Sequence, residues 1–256
     1  MTDQQRVVDL NADLGESFGI WRLGDDKALL EIVTSANIAC GFHAGDPLTI
    51  RRACASAVAR GVAIGAQVSY RDLAGFGRRE MVVPPQELAA EVLYQIAALD
   101  GIARAEGGRV RYVKPHGALY NRAVTDPEQA AAIVSAAVCY DPALPILTLP
   151  GSALATAATD VRLPAIAEAF ADRAYRDDGT LVPRSEAGSV LTDPVVVAAR
   201  AVSMVVDGTV ATVSGAALEV SPRSICVHGD TPGAAVLAAA IRDALEQAGV
   251  TLAPFA

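Results

Sequence analysis

Short apolar runs of strand length alternate with longer runs of helical period from one end of the chain to the other. VVDLNADLG is followed by DDKALLEIV, SANIACGFH by DPLTIRRACASAVARG, and VAIGAQVSY by PPQELAAEVLYQIAALDGIARAEG. The rhythm continues with RYVKPHGALY before DPEQAAAIVSAAVC, PILTLPG before SALATAATD, PAIAEAFADR before DPVVVAARAVSMVVDG, and SICVHGD before TPGAAVLAAAIRDALEQAG. Strands that alternate with helices predict a mainly parallel sheet. About seven such units without a dinucleotide fingerprint predict a closed, TIM-like (β/α) barrel of seven strands rather than an open doubly wound sheet. The length, 256 residues, fits a single domain spanning 1–256. Asp46-Pro47, Asp126-Pro127 and Asp193-Pro194 mark helix starts, where the acid caps free N–H groups and proline suits the first turn. The polar stretch Tyr175 to Gly188 predicts a long loop over one end of the sheet, and Thr209 to Val220 an extra hairpin.

The polar residues inside these runs fall in a pattern. RYVKPHGALYN, residues 111–121, places Lys114 and His116 two apart in an apolar strand, so both side chains share one face. Asn11 with Asp13, Gln67 with Ser69, and His228 with Asp230 have the same spacing, each late in its strand; His43 closes SANIACGFH, and Glu168 and Asp172 lie near the end of theirs. In a parallel sheet these ends converge on one rim, where barrel enzymes build their sites. All three histidines of the chain, His43, His116 and His228, occupy such positions, which predicts a site rather than scattered structural histidines. Lys114 reads as a rim cation for an anionic substrate or phosphate, with snorkelling to the rim or pairing with Asp13 as the plainer alternative, and truncating a rim lysine should leave the fold intact. Asp13 and Glu16 could instead cap the next helix, and Asp230, in HGDTPG, could cap the last one.

Composition narrows the partners. A formal net charge of −8 provides no basic field for nucleic acid, and no apolar run reaches membrane-spanning length. Four dispersed cysteines without a CxxC pair, each among small or apolar neighbours, predict buried thiols and a reducing cytoplasm. The glycine-rich GFGRRE, residues 75–80, lacks dinucleotide-loop spacing and reads as a mobile loop, and there is no GxxxxGK[ST]. Any nucleotide site must then be unorthodox or supplied by another subunit.

Taken together, VDLNADLGE, SANIACGFHAGDP, GVAIGA, FGRREM, LYQIAAL, VKPHGALYN, FADRAY, LVPRSEAG and VHGD resemble the LamB/YcsF family, the A subunits of 5-oxoprolinases, over nearly the whole chain. The resemblance implies a barrel related to the glycoside hydrolase/deacetylase superfamily. It also implies ATP-dependent opening of 5-oxo-L-proline to L-glutamate with partner subunits B and C, with Mg2+ only as the ATP counter-ion and homo-oligomerisation left open. Lys114 would hold negative charge, Asp13 with His116 or His43 would transfer protons, and Asn11, Glu16, Gln67, Glu168, Arg173, His228 and Asp230 would bind substrate. One position departs from the family pattern: GAQVSYRD has Gln67 where members usually carry histidine. Glutamine neither carries a proton in the same way nor ligates metals well, so no resident transition metal is expected. Two rival readings stay open: a metal-dependent deacetylase-like hydrolase using Asp13, His43 and His116, and a non-catalytic binding subunit.

Overall fold

The computed structural model describes residues 6–256. Seven parallel strands close into a barrel: β1 (Val7–Leu14), β2 (Ser35–Ala39), β3 (Ala63–Val68), β4 (Val110–Pro115), β5 (Ile146–Thr148), β6 (Ala165–Phe170) and β9 (Ser224–Val227). Closure comes from β9 pairing with β6 on one side and β1 on the other, with Cys226 level with both Phe170 and Asn11. A short β10 (Thr251–Leu252) extends the sheet beside Val7 and Val8. The expected hairpin is present as β7 (Thr209–Ala211) and β8 (Ala217–Glu219).

Helices α1 (Asp26–Leu30), α2 (Pro47–Arg60), α3 (Pro85–Ala105), α4 (Gly117–Thr125), α5 (Pro127–Tyr140), α6 (Ala153–Asp160), α7 (Pro194–Val202) and α8 (Ala234–Gln247) connect the strands, α7 running on into a π-helical turn. The aspartates at 46, 126 and 193 cap α2, α5 and α7 as expected. GALY, read as the tail of a strand, instead begins α4, because Gly117 takes a left-handed φ of 59° directly after His116. Neither Asp13 nor Glu16 caps α1, which uses Asp25, and α8 starts at Gly233 without a side-chain cap, so Asp230 is free of that role too. No helix among the described residues is long and apolar enough to cross a membrane. Cys40, Cys54 and Cys226 are buried free thiols; Cys139, expected to be buried, is exposed on α5.

The strands have two unlike faces. On β1, Val8, Leu10, Ala12 and Leu14 belong to the apolar cluster packed under the helices, whereas Asp9, Asn11 and Asp13 alternate with them and are equally buried. The alternate face points into the barrel, where Asn11 donates to Ser224 on the neighbouring β9 and Asn37 bonds both Asn11 and Asp13. The bore is therefore a ladder of hydrogen-bonded polar groups rather than stacked aliphatic layers. Tyr112 lies across it, its hydroxyl donating to Asn37 Oδ1 at 2.7 Å, and Gly65 makes the space: a Cβ there would come within 2.2 Å of the ring. Below the tyrosine, Leu147, Ile166 and Phe255 form a small apolar plug.

Asp9, deepest of the acids, receives hydroxyl hydrogens from Thr34 and Ser35, both at 2.6 Å, and from Ser224. Burial nevertheless outweighs these donors and raises its pKa to about 6. A carboxyl raised in the folded state contributes stability below its unfolded pKa and loses it as pH climbs through the folded value. Relative to Asp9→Asn, the native chain should therefore lose about 3 kcal/mol of stability between about pH 4 and pH 7. Urea denaturation of both proteins across that range checks this, and a pH-independent difference between them would sink it.

Candidate active site

The ends of β1, β4 and β6, with the segments after β3, β5 and β9, surround a cavity of about 560 Å³ at the C-terminal mouth of the barrel. Asp13, Lys114, His116, Arg173 and His228 line it. Asn11, Glu16, Gln67 and Glu168 stand behind them, within hydrogen-bonding or ion-pair contact of that lining, and His43 stacks on His116. Asp230 lies outside the lining and joins Arg78 at 2.6 Å and Arg184 at 3.8 Å.

Lys114 is not a rim lysine. It is 2% exposed, and its ammonium lies 2.8 Å from Glu168 Oε1, 3.4 Å from Asp13 Oδ1, 3.2 Å from Asn11 Oδ1 and 2.8 Å from the Cys226 sulfur. Burial alone would push the ammonium down; Asp13, Cys226 and Glu168 overcome it and hold the pKa well above the usual lysine value. The lysine neutralises the bore rather than presenting an uncompensated charge to the cavity.

Asp13 and Glu16 are driven apart. Against the penalty of burial, Lys114 and His116 hold Asp13 well below the carboxylate range. Glu16 suffers the same burial next to ionised Asp13, without a comparable cation, and is raised well above it. Asp13 is thus pushed toward the ionised form and Glu16 toward the protonated one. His116 lies between them, its Nδ1 3.9 Å from Asp13 Oδ2 and 3.7 Å from Glu16 Oε1.

Gln67 organises this group. The Phe76 carbonyl lies 3.1 Å from His116 Nε2 and can only accept, so in the neutral ring Nε2 carries the proton and Nδ1 the lone pair. The Gln67 amide nitrogen, 3.0 Å from His116 Nδ1, donates to that lone pair and to Glu16 Oε1, also at 3.0 Å. Its oxygen faces His43 Nε2 at 3.2 Å, leaving His43 Nδ1 buried without a partner. Burial keeps His43 well below the usual histidine pKa, and the stacked His116 ring, centroids 4.1 Å apart, adds to it. GFGRRE packs over both rings through Phe76. Phe76 holds a left-handed φ of 55°, at a cost of roughly 1 kcal/mol, which aims its carbonyl at His116. Gly77 follows because a Cβ there would stand 2.3 Å from Ser69 Oγ.

On the far wall His228 Nδ1 lies 2.9 Å from Asp172 Oδ2, and the same carboxylate accepts the His228 backbone N–H. The imidazole stacks on Phe170 at 5.4 Å. Tyr120, on α4, donates to Glu168 at 3.1 Å. The loop from Tyr175 to Gly188 covers this end of the barrel as expected and contributes Thr180 to Ser185 to the cavity wall. Sequence reasoning missed Arg78, Arg184 and Tyr120 as site residues, although all three lie in quoted stretches.

Glu16, His43 and His116 offer ligand atoms within 4.8 Å of one another, the tightest such group among the described residues. The carboxylate in it is Glu16, where the metal reading had Asp13. As the side chains stand, the Gln67 amide hydrogens point at the two donors a cation would need, so the group fits a hydrogen-bonded cluster better than a metal centre.

A seven-stranded parallel barrel with charged groups buried in its bore and a cavity at its C-terminal mouth defines the class of fold. The chain belongs to the LamB/YcsF family, whose model matches residues 8–256. It is 62% identical to the 5-oxoprolinase A subunit of Streptomyces coelicolor over 250 residues, 98% of this chain and 100% of that protein. It is 59% identical to the protein of the same name from Mycolicibacterium paratuberculosis, over 97% of this chain and 98% of the relative. Among solved structures, the lactam utilization protein from Thermus thermophilus superposes with a TM-score of 0.92 at 48% identity, covering 97% and 99% of the two chains.

Proposed function

We propose that this chain is the A subunit of a cytoplasmic, ATP-coupled 5-oxoprolinase that opens 5-oxo-L-proline to L-glutamate together with B and C subunits. The relatives' names supply the reaction, and the displacement of Asp13 toward carboxylate and of Glu16 toward carboxylic acid around His116 is the observation that carries it.

A five-membered lactam is a stable amide. Phosphorylation of its oxygen by ATP, with Mg2+ as the nucleotide's counter-ion, releases ADP and makes the carbonyl carbon electrophilic. One water then adds at that carbon, the ring nitrogen departs with a proton to leave an acyl phosphate, and a second water cleaves this to glutamate and phosphate. Asp13 is the base that directs water, and His116 Nδ1, within about 1 Å of hydrogen-bonding distance from either acid, relays a proton from Glu16 once the Gln67 amide that donates to it turns away. Lys114 keeps Asp13 ionised, which replaces its expected role as a phosphate ligand. His43 stays neutral and fixes Gln67. No GxxxxGK[ST] loop lies in this sequence, so the nucleotide is held either by an unorthodox site in this chain or by a partner subunit.

The test is reconstitution: this chain, subunits B and C, ATP and 5-oxo-L-proline, with glutamate measured and each component omitted in turn. Glutamate that requires both this chain and ATP is the expected result. The cluster of Glu16, His43 and His116 favours one second reading, a metal-dependent hydrolase in which those residues would hold a cation supplying a Lewis acid. Lactam or N-acyl hydrolysis by the isolated chain, dependent on added zinc or manganese and indifferent to ATP, would establish it instead.

A further inference from the structure

With Lys114 compensated by two carboxylates, the uncompensated positive charge of the cavity lies on three arginines of its lining, Arg78, Arg173 and Arg184. Arg173 is 6% exposed and gives two of its five N–H donors to backbone carbonyls, Ser189 O at 3.1 Å and Val182 O at 2.5 Å. No carboxylate comes within 4.0 Å of it among the described residues, and its neighbour Asp172 is taken by His228. Arg184 has a buried Nη2 without a hydrogen-bond partner, and its nearest carboxylate, Asp230 at 3.8 Å, already binds Arg78 at 2.6 Å. Arg78 and Arg184 both act on Arg173 as like charges. Arg78 and Arg184 therefore share one aspartate, and Arg173 has no carboxylate partner, at the mouth of the same cavity that Asp13 and His116 enter. Arg173 is buried and the other two are partly so, and such an excess of positive charge costs stability unless an anion completes it.

We infer that Arg173 and Arg184, with Arg78 beside them, form the subsite for the carboxylate of a small lactam acid. This deepens the proposed function and rests on it. A carboxylate on the arginine wall leaves the ring carbonyl facing Asp13 and His116 across the cavity. Asp230 is then a positioning residue that holds Arg78 and Arg184 in place while the cavity is free of substrate. A planar guanidinium with an unused nitrogen suits the two oxygens of a carboxylate, and a phosphoryl group offers related chemistry, so the test separates the two.

The experiment is titration calorimetry of the full chain with three probes: 5-oxo-L-proline, 2-pyrrolidinone, which is the same ring without the carboxylate, and inorganic phosphate. The native chain should bind 5-oxo-L-proline and bind 2-pyrrolidinone far more weakly. Arg184→Gln should weaken 5-oxo-L-proline by roughly ten- to a hundredfold and leave 2-pyrrolidinone unchanged. Arg184→Lys should recover only part of the loss. Arg184 is the residue to replace because its side chain is 26% exposed, and thermal melting of each variant verifies the fold. Native binding of 5-oxo-L-proline that Arg184→Gln leaves within twofold, in a folded variant, overturns the subsite and leaves the proposed function standing. Binding of phosphate but not of 5-oxo-L-proline overturns the carboxylate assignment and the proposed function together. Equal affinity for the two lactams, or no binding of any probe, overturns the subsite.

Discussion

Lys114→Met is expected to lower the unfolding free energy by about 3–5 kcal/mol, the usual penalty for removing one partner of a buried ion pair. Methionine fills the volume of the lysine stem, so the loss isolates the charge. It leaves Asp13 and Glu168 facing each other across the bore with no cation between them and removes a donor from Asn11 and Cys226. Combining Lys114→Met with Glu168→Gln removes one of the stranded carboxylates and should recover a substantial part of the loss. Urea midpoints followed by circular dichroism measure both variants. A single variant within about 1 kcal/mol of the native chain would mean that the bore is wetter than its burial implies. This outcome reverses what the sequence suggested, that the lysine could be truncated without consequence.

Asp13→Asn should cost the assembled enzyme about 10²- to 10⁴-fold in turnover, the range for loss of a positioned proton acceptor. Asparagine keeps the shape and the carbonyl oxygen that accepts from Asn37 at 3.0 Å, but it cannot take a proton from water. KM for 5-oxo-L-proline should move much less, because the carboxylate of that substrate is held on the arginine wall. The pH profile gives a second reading. Since Asp13 is held well below the carboxylate range, the native activity should persist into acid beyond where an unperturbed aspartate would fail, limited there by other groups. ATP-dependent glutamate release by the reconstituted subunits checks the first claim, and a variant within tenfold of native turnover would remove Asp13 as the base.

Most of the barrel was legible because its signals are local. A strand followed by acid-proline and a helical period needs no knowledge of the rest of the chain, and the aspartates at 46, 126 and 193 cap helices where they were expected. The convergence of Asp13, His43, Lys114, His116 and His228 was legible for the same reason, since parallel strands carry their late residues to one end. Depth was not. Spacing of two shows that Asp13 and Lys114 share a face with their strand neighbours, but only barrel closure shows that this face is enclosed, which turned a rim lysine into a buried one. Arg78 and Arg184 escaped notice because they reach the cavity from loops, where no period aligns them. Cys139 misled because small neighbours on a helix do not say which side faces out.

The two-faced strands separate tolerance from chemistry along a single chain. On β1 the even-numbered positions answer to volume and the odd-numbered ones to donor and acceptor count. A lineage can therefore exchange one aliphatic residue for another behind the sheet without touching the reaction. It can also change a bore residue, as Gln67 suggests, without dismantling the wall that carries it. Drift and innovation are thus assigned to alternate residues of the same segment.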